Sequence, residues 1–140
     1  MYKLFLPIML LSILIMGCIP DSPLDPDETS NPTYITTQFI MQGAKVVSND
    51  GTDTFLGEIT GKYNSNSIFN NYGIYGSKYS VTSIWNPYSI YGSKYSIYSA
   101  FNDYTITPPQ IIKNNTRIGY LTTNKHLHGG VSPNLLKSLF

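Results

Sequence analysis

The chain has 140 residues, which allows one domain at most once any targeting segment is removed. Charged residues make up 12% and aromatic residues 14%, with twelve tyrosines, whereas an ordinary soluble domain is about 25% charged. Four of the eight acids fall within residues 21–28, so residues 33–140 carry eight Lys and Arg against four acids. This mild surplus lacks the clustering of a nucleic-acid binder, and we predict no nucleic-acid partner.

The first 18 residues, MYKLFLPIMLLSILIMGC, have one cation, an apolar run over 4–16, and Gly17 before the only cysteine, Cys18. The run is too short to cross a hydrocarbon core of ~30 Å as a helix, and with its flanks it is typical of a secretory signal. Residues 15–18 resemble the lipobox of bacterial lipoproteins. The resemblance implies cleavage after residue 17, a thioether-linked diacylglycerol on Cys18, and an acylated amino group. The alternative is a plain secretory signal with an incidental cysteine.

Residues 19–32, IPDSPLDPDETSNP, contain four prolines and four acids. Proline fixes φ and removes a backbone donor, so this stretch does not suit a helix interior or a sheet. We predict a signal peptide at 1–17, a lipid-anchored cysteine with a proline-rich tether at 18–32, and a small domain at 33–140. The expected location is the cell membrane or outer membrane, facing the periplasm or the exterior.

Two segments have the pattern of β-hairpins. Residues 45–60, KVVSNDGTDTFLGEIT, place two β-prone runs around an Asn-Asp-Gly turn signal, and residues 110–122, QIIKNNTRIGYLT, place two runs around a pair of asparagines. An isolated hairpin is only marginally stable in water. We therefore expect the two hairpins to pair into a small antiparallel sheet.

Between these segments a 16-residue repeat rich in Tyr, Ser and Gly dominates. IYGSKYS occurs at 74–80 and 90–96, and three modules align at 67–72, 83–88 and 99–104. Glycine and serine disfavour a helix interior, so we predict short turns in which serine hydroxyls bind nearby backbone. Phe69, Trp85 and Phe101 would point inward with tyrosines lying partly across them. The predicted fold class is mainly β with much irregular structure.

The pattern SIxNxYGxYGSxYS, with LGEI before it and IGYL after it, resembles a group of bacterial secreted proteins and lipoproteins that has no established activity. The resemblance covers roughly residues 46–133. It implies an envelope location and a repeat architecture, and it implies no mechanism.

Candidate chemistry is sparse. His126 and His128, in NKHLHGG, would share one face of a strand, but a zinc site needs further ligands and none has clear spacing. No Gly-x-Ser-x-Gly elbow and no phosphate-binding glycine loop is present. We predict no catalytic residue, no metal and no cofactor. The alternative is a hydrolase or metal-dependent enzyme that uses the His126/His128 region.

The tyrosine-rich modules offer the best candidate ligand surface, formed by Tyr75, Lys78, Tyr91 and Lys94. Exposed rings beside lysines suit an anionic glycan, peptidoglycan included. Two other readings stay open: the rings close a thin core, or the Tyr/Ser/Asn/Gly composition favours aggregation. Near the end, Ser132-Pro133 and the apolar residues after them predict a short helix that docks on the domain. The predicted function is a membrane-anchored lipoprotein, a structural or binding module of the cell envelope rather than an enzyme.

Overall fold

A computed structural model describes residues 32–140. The predicted signal peptide, Cys18 and all but the last residue of the tether lie outside the described residues. The elements in chain order are α1 (Pro32–Met41), β1 (Ala44–Val47), β2 (Phe55–Ile59), β3 (Gln110–Lys113), β4 (Thr116–Leu121), β5 (Gly130–Val131) and α2 (Pro133–Leu139). The fifty residues between β2 and β3 contain neither a helix nor a named strand.

The five strands form one sheet in the order β2-β1-β3-β4-β5. Neighbours are antiparallel except β4 and β5, which run parallel. The mainly β fold class with much irregular structure is confirmed. The sheet is mixed rather than purely antiparallel. After β4 the chain loops through residues 124–129 and adds β5 beside β4, parallel to it.

The loops at the strand ends follow from their residues. Asn114 and Asn115, between β3 and β4, both have positive φ, 50° and 58°, as a two-residue type I′ turn requires. Between β1 and β2, Asp50 binds the backbone N–H of Thr52 at 3.0 Å. Its carboxylate also accepts hydrogen bonds from the hydroxyls of Ser48 and Thr52. Asparagine and aspartate therefore set the geometry of both loops.

Residues 61–109, which we call the turn coil, are a chain of consecutive β-turns. A backbone N–H donates to the carbonyl three residues earlier at nearly every third position, from Asn64 to Ser99 and again at Thr105. Most turns begin with Ser or Asn, whose side-chain oxygen accepts from the N–H two residues later, as in Ser67 with Phe69 and Asn86 with Tyr88. These local bonds satisfy the backbone without a strand partner.

The turns wind into a coil of about eight residues per winding. Asn86 Nδ2 donates to Ser80 O, six residues back, and Thr82 Oγ1 donates to Ile74 O, eight residues back. Farther along, the N–H of Ala100 donates to Tyr91 O at 3.2 Å. One 16-residue module therefore makes two windings.

Glycine lets successive windings touch. A Cβ on Gly76 would lie 2.2 Å from Asn70 O, and a Cβ on Gly92 would lie 2.2 Å from Asn86 O and 2.5 Å from Ile84 O. Real Cβ atoms do not approach backbone so closely. Gly76 and Gly92 occupy the same position in the two IYGSKYS copies. The repeat therefore places a residue without a side chain in every second winding.

The coil is joined to the sheet at both ends. At its start, the N–H of Glu58 in β2 donates to Asn66 O at 2.8 Å, and Ile68 N–H donates to Glu58 O at 3.0 Å. At its end, Thr123 N–H, just after β4, donates to Ala100 O at 2.8 Å. The sheet thus caps the coil, as terminal elements do in repeat proteins.

One apolar cluster ties the coil, the sheet and α2 together. Its fully buried members on the coil are Ile68, Ile84 and Ala100, which occupy the same position in successive modules. The remaining members include side chains of every strand except β5, which packs Val131 against the cluster. The cluster is small, and each of these residues is correspondingly important to stability.

An aromatic row runs beside this cluster. The ring centroids of Phe69 and Trp85 lie 6.4 Å apart, those of Trp85 and Phe101 lie 5.4 Å apart, and Phe140 stacks on Phe69 at 5.5 Å. The Trp85 indole N–H also donates to Ile68 O at 2.5 Å. These rings lie inward as expected, with Phe69 buried and the other two half-buried.

The two helices flank the sheet and contact each other. Helix α2 begins at Pro133 after Ser132, as the sequence predicts, and buries Leu136. Helix α1 was not predicted. It leaves Ile35 and Phe39 largely exposed, and the Lys113 ammonium binds the free carbonyl of Ile40 at its C-terminal end at 2.8 Å.

Candidate functional site: a groove lined by tyrosine and lysine

The third residue of a turn in the coil is usually aromatic, and in six turns it points into solvent. These side chains are all at least 80% exposed: Tyr63, Tyr72, Tyr79, Tyr88, Tyr95 and Tyr104. The expectation that the tyrosines lie across the inner rings is wrong for these six. Since one winding holds about eight residues, each winding presents one of these tyrosines on the same side of the coil.

A lysine precedes every second exposed tyrosine and lies over its ring. The ammonium of Lys62 is 5.3 Å from the Tyr63 centroid, and the same pair recurs one module later at 5.1 Å and two modules later at 5.0 Å. An ammonium at this distance is attracted by the ring face. The lysines are thereby held near the surface of the coil instead of extending freely.

Four clefts lie between these side chains, and they are of two kinds. In two of them, the amide clefts, a Lys-Tyr pair faces an Asn-x-Tyr segment. The first amide cleft is about 470 Å³ and is lined by Lys62, Tyr63, Phe69, Asn70, Asn71 and Tyr72. The second is about 300 Å³ and is lined by Lys78, Tyr79, Asn86, Pro87 and Tyr88, sixteen residues later.

In the other two, the ring clefts, the indole ring of Trp85 forms part of the wall. The first ring cleft is about 430 Å³ and is lined by Asn71, Gly76, Ser77, Lys78, Tyr79, Trp85 and Lys137. The second is about 440 Å³ and is lined by Ile84, Trp85, Pro87, Gly92, Ser93, Lys94, Tyr95, Phe101 and Asn134. The glycines that let the windings touch thus also form the walls of the ring clefts.

Neighbouring clefts share wall residues, which makes them one continuous groove. Asn71 belongs to the first amide cleft and the first ring cleft. Lys78 and Tyr79 belong to that ring cleft and the second amide cleft, and Pro87 belongs to the second amide cleft and the second ring cleft. Amide and ring clefts therefore alternate along the groove.

Helix α2 forms one side of this groove. The Lys137 ammonium lies 4.5 Å from the centroid of the Trp85 ring system and lines the first ring cleft. With Lys62, Lys78 and Lys94, four cations line the four clefts, and no acid is among the lining residues. The groove offers aromatic faces, ammonium groups and amide side chains to a ligand, a combination that suits an extended anionic molecule.

Of the four residues predicted to form a ligand surface, two line the groove and two are packed against the rest of the domain. Lys78 and Lys94 are exposed and line the groove. Tyr91 is 7% exposed and its hydroxyl donates to Asp50 at 3.0 Å, and Tyr75 is half-buried with its ring edge-on to Phe55 at 5.0 Å. Tyr91 holds the coil against the loop between β1 and β2, and Tyr75 packs on the first residue of β2, so neither presents a free ring face.

The rings that accompany the lysines in the groove are Tyr79 and Tyr95, which the sequence argument left out. Every Ser-x-Tyr or Asn-x-Tyr triplet places its tyrosine in the same position of a turn, so the triplet itself does not separate inward from outward rings. A lysine precedes the outward rings of Tyr79 and Tyr95, and a charged neighbour favours the solvent side. An isoleucine precedes the inward ring of Tyr91.

The acceptor of the Tyr91 hydroxyl is a strongly hydrogen-bonded carboxylate. The side-chain hydroxyl of Thr52 is the main reason that the pKa of Asp50 lies well below its usual range. Hydrogen bonds from Ser48, the Thr52 N–H and Tyr91 lower this pKa further, whereas partial desolvation raises it. Hydrogen bonds of this kind favour the charged form. Asp50 therefore serves as an ionised structural link between sheet and coil.

The histidine pair lies outside the groove. His126 and His128 are both exposed and lie in turns rather than on a strand, with the His126 N–H donating to Asn124 Oδ1 at 2.9 Å. Within residues 32–140, no group of three or more His, Cys, Asp or Glu side chains is placed to hold a metal ion.

No protein-family model, no curated protein and no solved structure matches this chain. The resemblance to bacterial lipoproteins therefore stays a prediction from the sequence. Neither helix among the described residues has the length and apolar character needed to cross a bilayer.

Proposed function

We propose that the protein is a lipid-anchored protein of the bacterial envelope whose turn coil binds an anionic glycan in the groove. The anchor rests on the lipobox resemblance at residues 15–18 and on the proline-rich tether that follows. The proposal of a glycan ligand is based on one observation about the groove. Exposed tyrosines and lysines line its four contiguous clefts, and no acid is among the lining residues.

The exposed rings support a sugar ligand in particular. A tyrosine ring that is fully or largely in solvent, as Tyr72, Tyr79 and Tyr88 are, contributes little to the core and offers an apolar face with a polar hydroxyl at its edge. Sugar rings have matching apolar faces and a rim of hydroxyls. The amides of Asn71 and Asn134 supply donors and acceptors beside those faces.

The charges support an anionic ligand. Lys62, Lys78 and Lys94 are exposed and regularly spaced, so a ligand with negative groups at intervals meets one cation per module. Exposed ion pairs are individually weak, and their sum falls with added salt. Binding should therefore be of moderate strength and sensitive to ionic strength.

The test is a binding measurement with the full-length protein in detergent, on isolated peptidoglycan sacculi and on soluble acidic glycans. Tyr79→Ala and Lys78→Ala should each weaken retention. Phe39→Ala on α1 and Lys45→Ala on β1, which remove exposed residues of similar type outside the groove, should not. Retention that is equal for all four variants would refute the assignment of the groove.

The histidines separate this proposal from the enzyme alternative. A protein with both His126→Ala and His128→Ala should bind glycan as the unchanged protein does, because neither residue lines the groove. Loss of binding or of a hydrolytic activity in this variant alone would favour the alternative.

A further inference from the structure

Helix α2 contributes differently to the two ring clefts. Lys137 lines the first ring cleft, and Asn134, three residues earlier, lines the second. From the coil, each ring cleft receives the lysine of one IYGSKYS copy, Lys78 in the first and Lys94 in the second. The first ring cleft therefore has two lysines among its lining residues, whereas each of the other three clefts has one.

No acid compensates the two lysines within the first ring cleft. None is among its lining residues, and α2 contains none. The turn coil contains a single acid, Asp103, which accepts a hydrogen bond from the Thr123 hydroxyl and lines a separate cleft. Two like charges in the wall of one cleft repel each other, and an anion bound between them relieves that repulsion.

Each of the two ammonium groups lies against an aromatic ring. The Lys78 ammonium is 5.1 Å from the Tyr79 centroid, and the Lys137 ammonium is 4.5 Å from the Trp85 centroid. The attraction of a cation to a ring face is weak at an exposed site. It therefore orients both lysines without neutralising them.

Uncharged donors lie beside these ammonium groups. The Ser77 hydroxyl accepts a hydrogen bond from the Tyr79 N–H at 3.3 Å, which leaves its own proton for another acceptor. The exposed Asn71 side chain lines the same cleft and has two amide protons to donate. Two ammonium groups, a hydroxyl and an amide thus surround one cleft of about 430 Å³.

The number of cations indicates which anion fits this cleft. A carboxylate has one negative charge, which the single lysine of any other cleft matches. A phosphate monoester has about 1.5 to 2 negative charges at pH 7 and three strong acceptor oxygens. Lysine binds phosphate as a point charge, so two lysines match one phosphate monoester.

We infer that the first ring cleft binds a phosphate monoester on a sugar of the glycan, with the phosphate between Lys78 and Lys137 and the sugar against the exposed Tyr79 ring. This inference rests on the proposed glycan-binding function and specifies the acidic group at one place in the groove. The other three clefts, with one lysine each, take sugars of lower charge.

Four small probes test the charge and the sugar separately, in titration calorimetry with the full-length protein in a non-ionic detergent without a sugar headgroup. We expect glucose 6-phosphate to bind about two- to fivefold more tightly than glucuronate, which is the gain from one further exposed ion pair. It should also bind more tightly than glucose or inorganic phosphate, which each lack half of the ligand. Glucuronate of equal affinity would overturn the phosphate, and inorganic phosphate of equal affinity would overturn the sugar contact.

The two IYGSKYS copies provide a matched pair of variants. Lys78→Gln and Lys137→Gln should each weaken binding of glucose 6-phosphate about two- to fivefold and remove its advantage over glucuronate. Lys94→Gln alters the equivalent lysine beside Asn134. It should weaken retention on sacculi but leave the advantage of glucose 6-phosphate intact. Equal effects of Lys78→Gln and Lys94→Gln on this advantage would overturn the assignment to the first ring cleft.

Trp85 reports directly on the position of Lys137. It is the only tryptophan of the chain, and the Lys137 ammonium lies over its ring. A phosphate that binds this ammonium should change the fluorescence emission of Trp85 in the unchanged protein and much less in Lys137→Gln. The same change in both proteins would place the phosphate away from Lys137 and refute this arrangement.

A longer ligand distinguishes a phosphorylated glycan from a free sugar phosphate. Maltotriose with one terminal 6-phosphate should bind at least twofold more tightly than glucose 6-phosphate, because its further sugars reach the adjoining clefts. Equal affinity would overturn a glycan as the source of the phosphate. Retention on sacculi without any preference for glucose 6-phosphate would refute this inference and leave the proposed function intact. If neither sacculi, acidic glycans nor these probes bind, the proposed function fails as well.

Discussion

Replacing Gly92 by alanine tests whether the windings of the coil touch as described. The added Cβ would lie 2.2 Å from Asn86 O and 2.5 Å from Ile84 O, so the backbone would have to shift by about 1 Å to restore ordinary contact. Asn86 O already accepts hydrogen bonds from the N–H and the hydroxyl of Ser89, which resist that shift. Overpacking costs about 1–3 kcal/mol, and we expect the upper end of this range.

The expected consequence is a large loss of thermal stability. The alanine also restricts the unfolded chain, which offsets about 0.4–1 kcal/mol, and leaves a net loss of about 2 kcal/mol. For a domain of this size, each kcal/mol lowers Tm by about 4–8 °C, so Tm should fall by about 8–16 °C in circular dichroism. Gly61→Ala is the matched control, because a Cβ there meets nothing within 4 Å, and its Tm should be unchanged or slightly higher. Equal Tm values for the two variants would refute the contact between windings.

Three further outcomes are expected. Asp50→Asn should lower the stability measured by urea denaturation at pH 7. Because hydrogen bonds, chiefly from Thr52, depress the folded pKa of Asp50, the contribution of the carboxylate is present above about pH 4 and lost as the pH falls. A difference that stays constant down to pH 2 would contradict the hydrogen-bonded, ionised state of Asp50. Ile84→Ala should lower the free energy of unfolding by about 2–5 kcal/mol. Ile90→Ala, at a 53% exposed position, should lower it by well under 1 kcal/mol. Similar losses in both variants would show that Ile84 is not part of the buried apolar cluster. Cys18→Ala should release the protein from the membrane fraction in cell fractionation, and retention there would exclude the lipid anchor.

Much of the fold follows from local signals in the sequence. The Asn-Asp-Gly and Asn-Asn segments lie at the loops that join β1 to β2 and β3 to β4, because asparagine, aspartate and glycine adopt the positive φ that these loops need. The Ser132-Pro133 pair starts α2 for a similarly local reason. Features that depend on one or two neighbouring residues were therefore predictable.

Features that depend on distant contacts were not. Helix α1 contains the β-branched run Ile35, Thr36 and Thr37, which disfavours a helix, and its C-terminal end is held by Lys113 from β3. The inward or outward side of each tyrosine depends on whether the sheet lies over that part of the coil. Tyr91 faces the Asp50 loop and Tyr95, in the next turn, faces solvent, although both follow a Ser-x-Tyr pattern. Tyr75 and Tyr91 were predicted to lie on the ligand surface but are packed, because their positions depend on contacts with the sheet and its loop that are distant in the sequence.

The attachment of the coil to the sheet at both ends fixes how many repeats the protein can hold. Glu58 binds the first winding and Thr123 binds the last, so the coil must span the distance between two points of one sheet. A fourth module would lengthen the coil by about the 5.4–6.4 Å that separates equivalent rings of successive modules. It would detach one end unless the sheet widened by about one strand. Duplication of a module is therefore coupled to the width of the sheet, and the sheet fixes the length of the groove. We expect a chain with a longer groove to have a broader sheet.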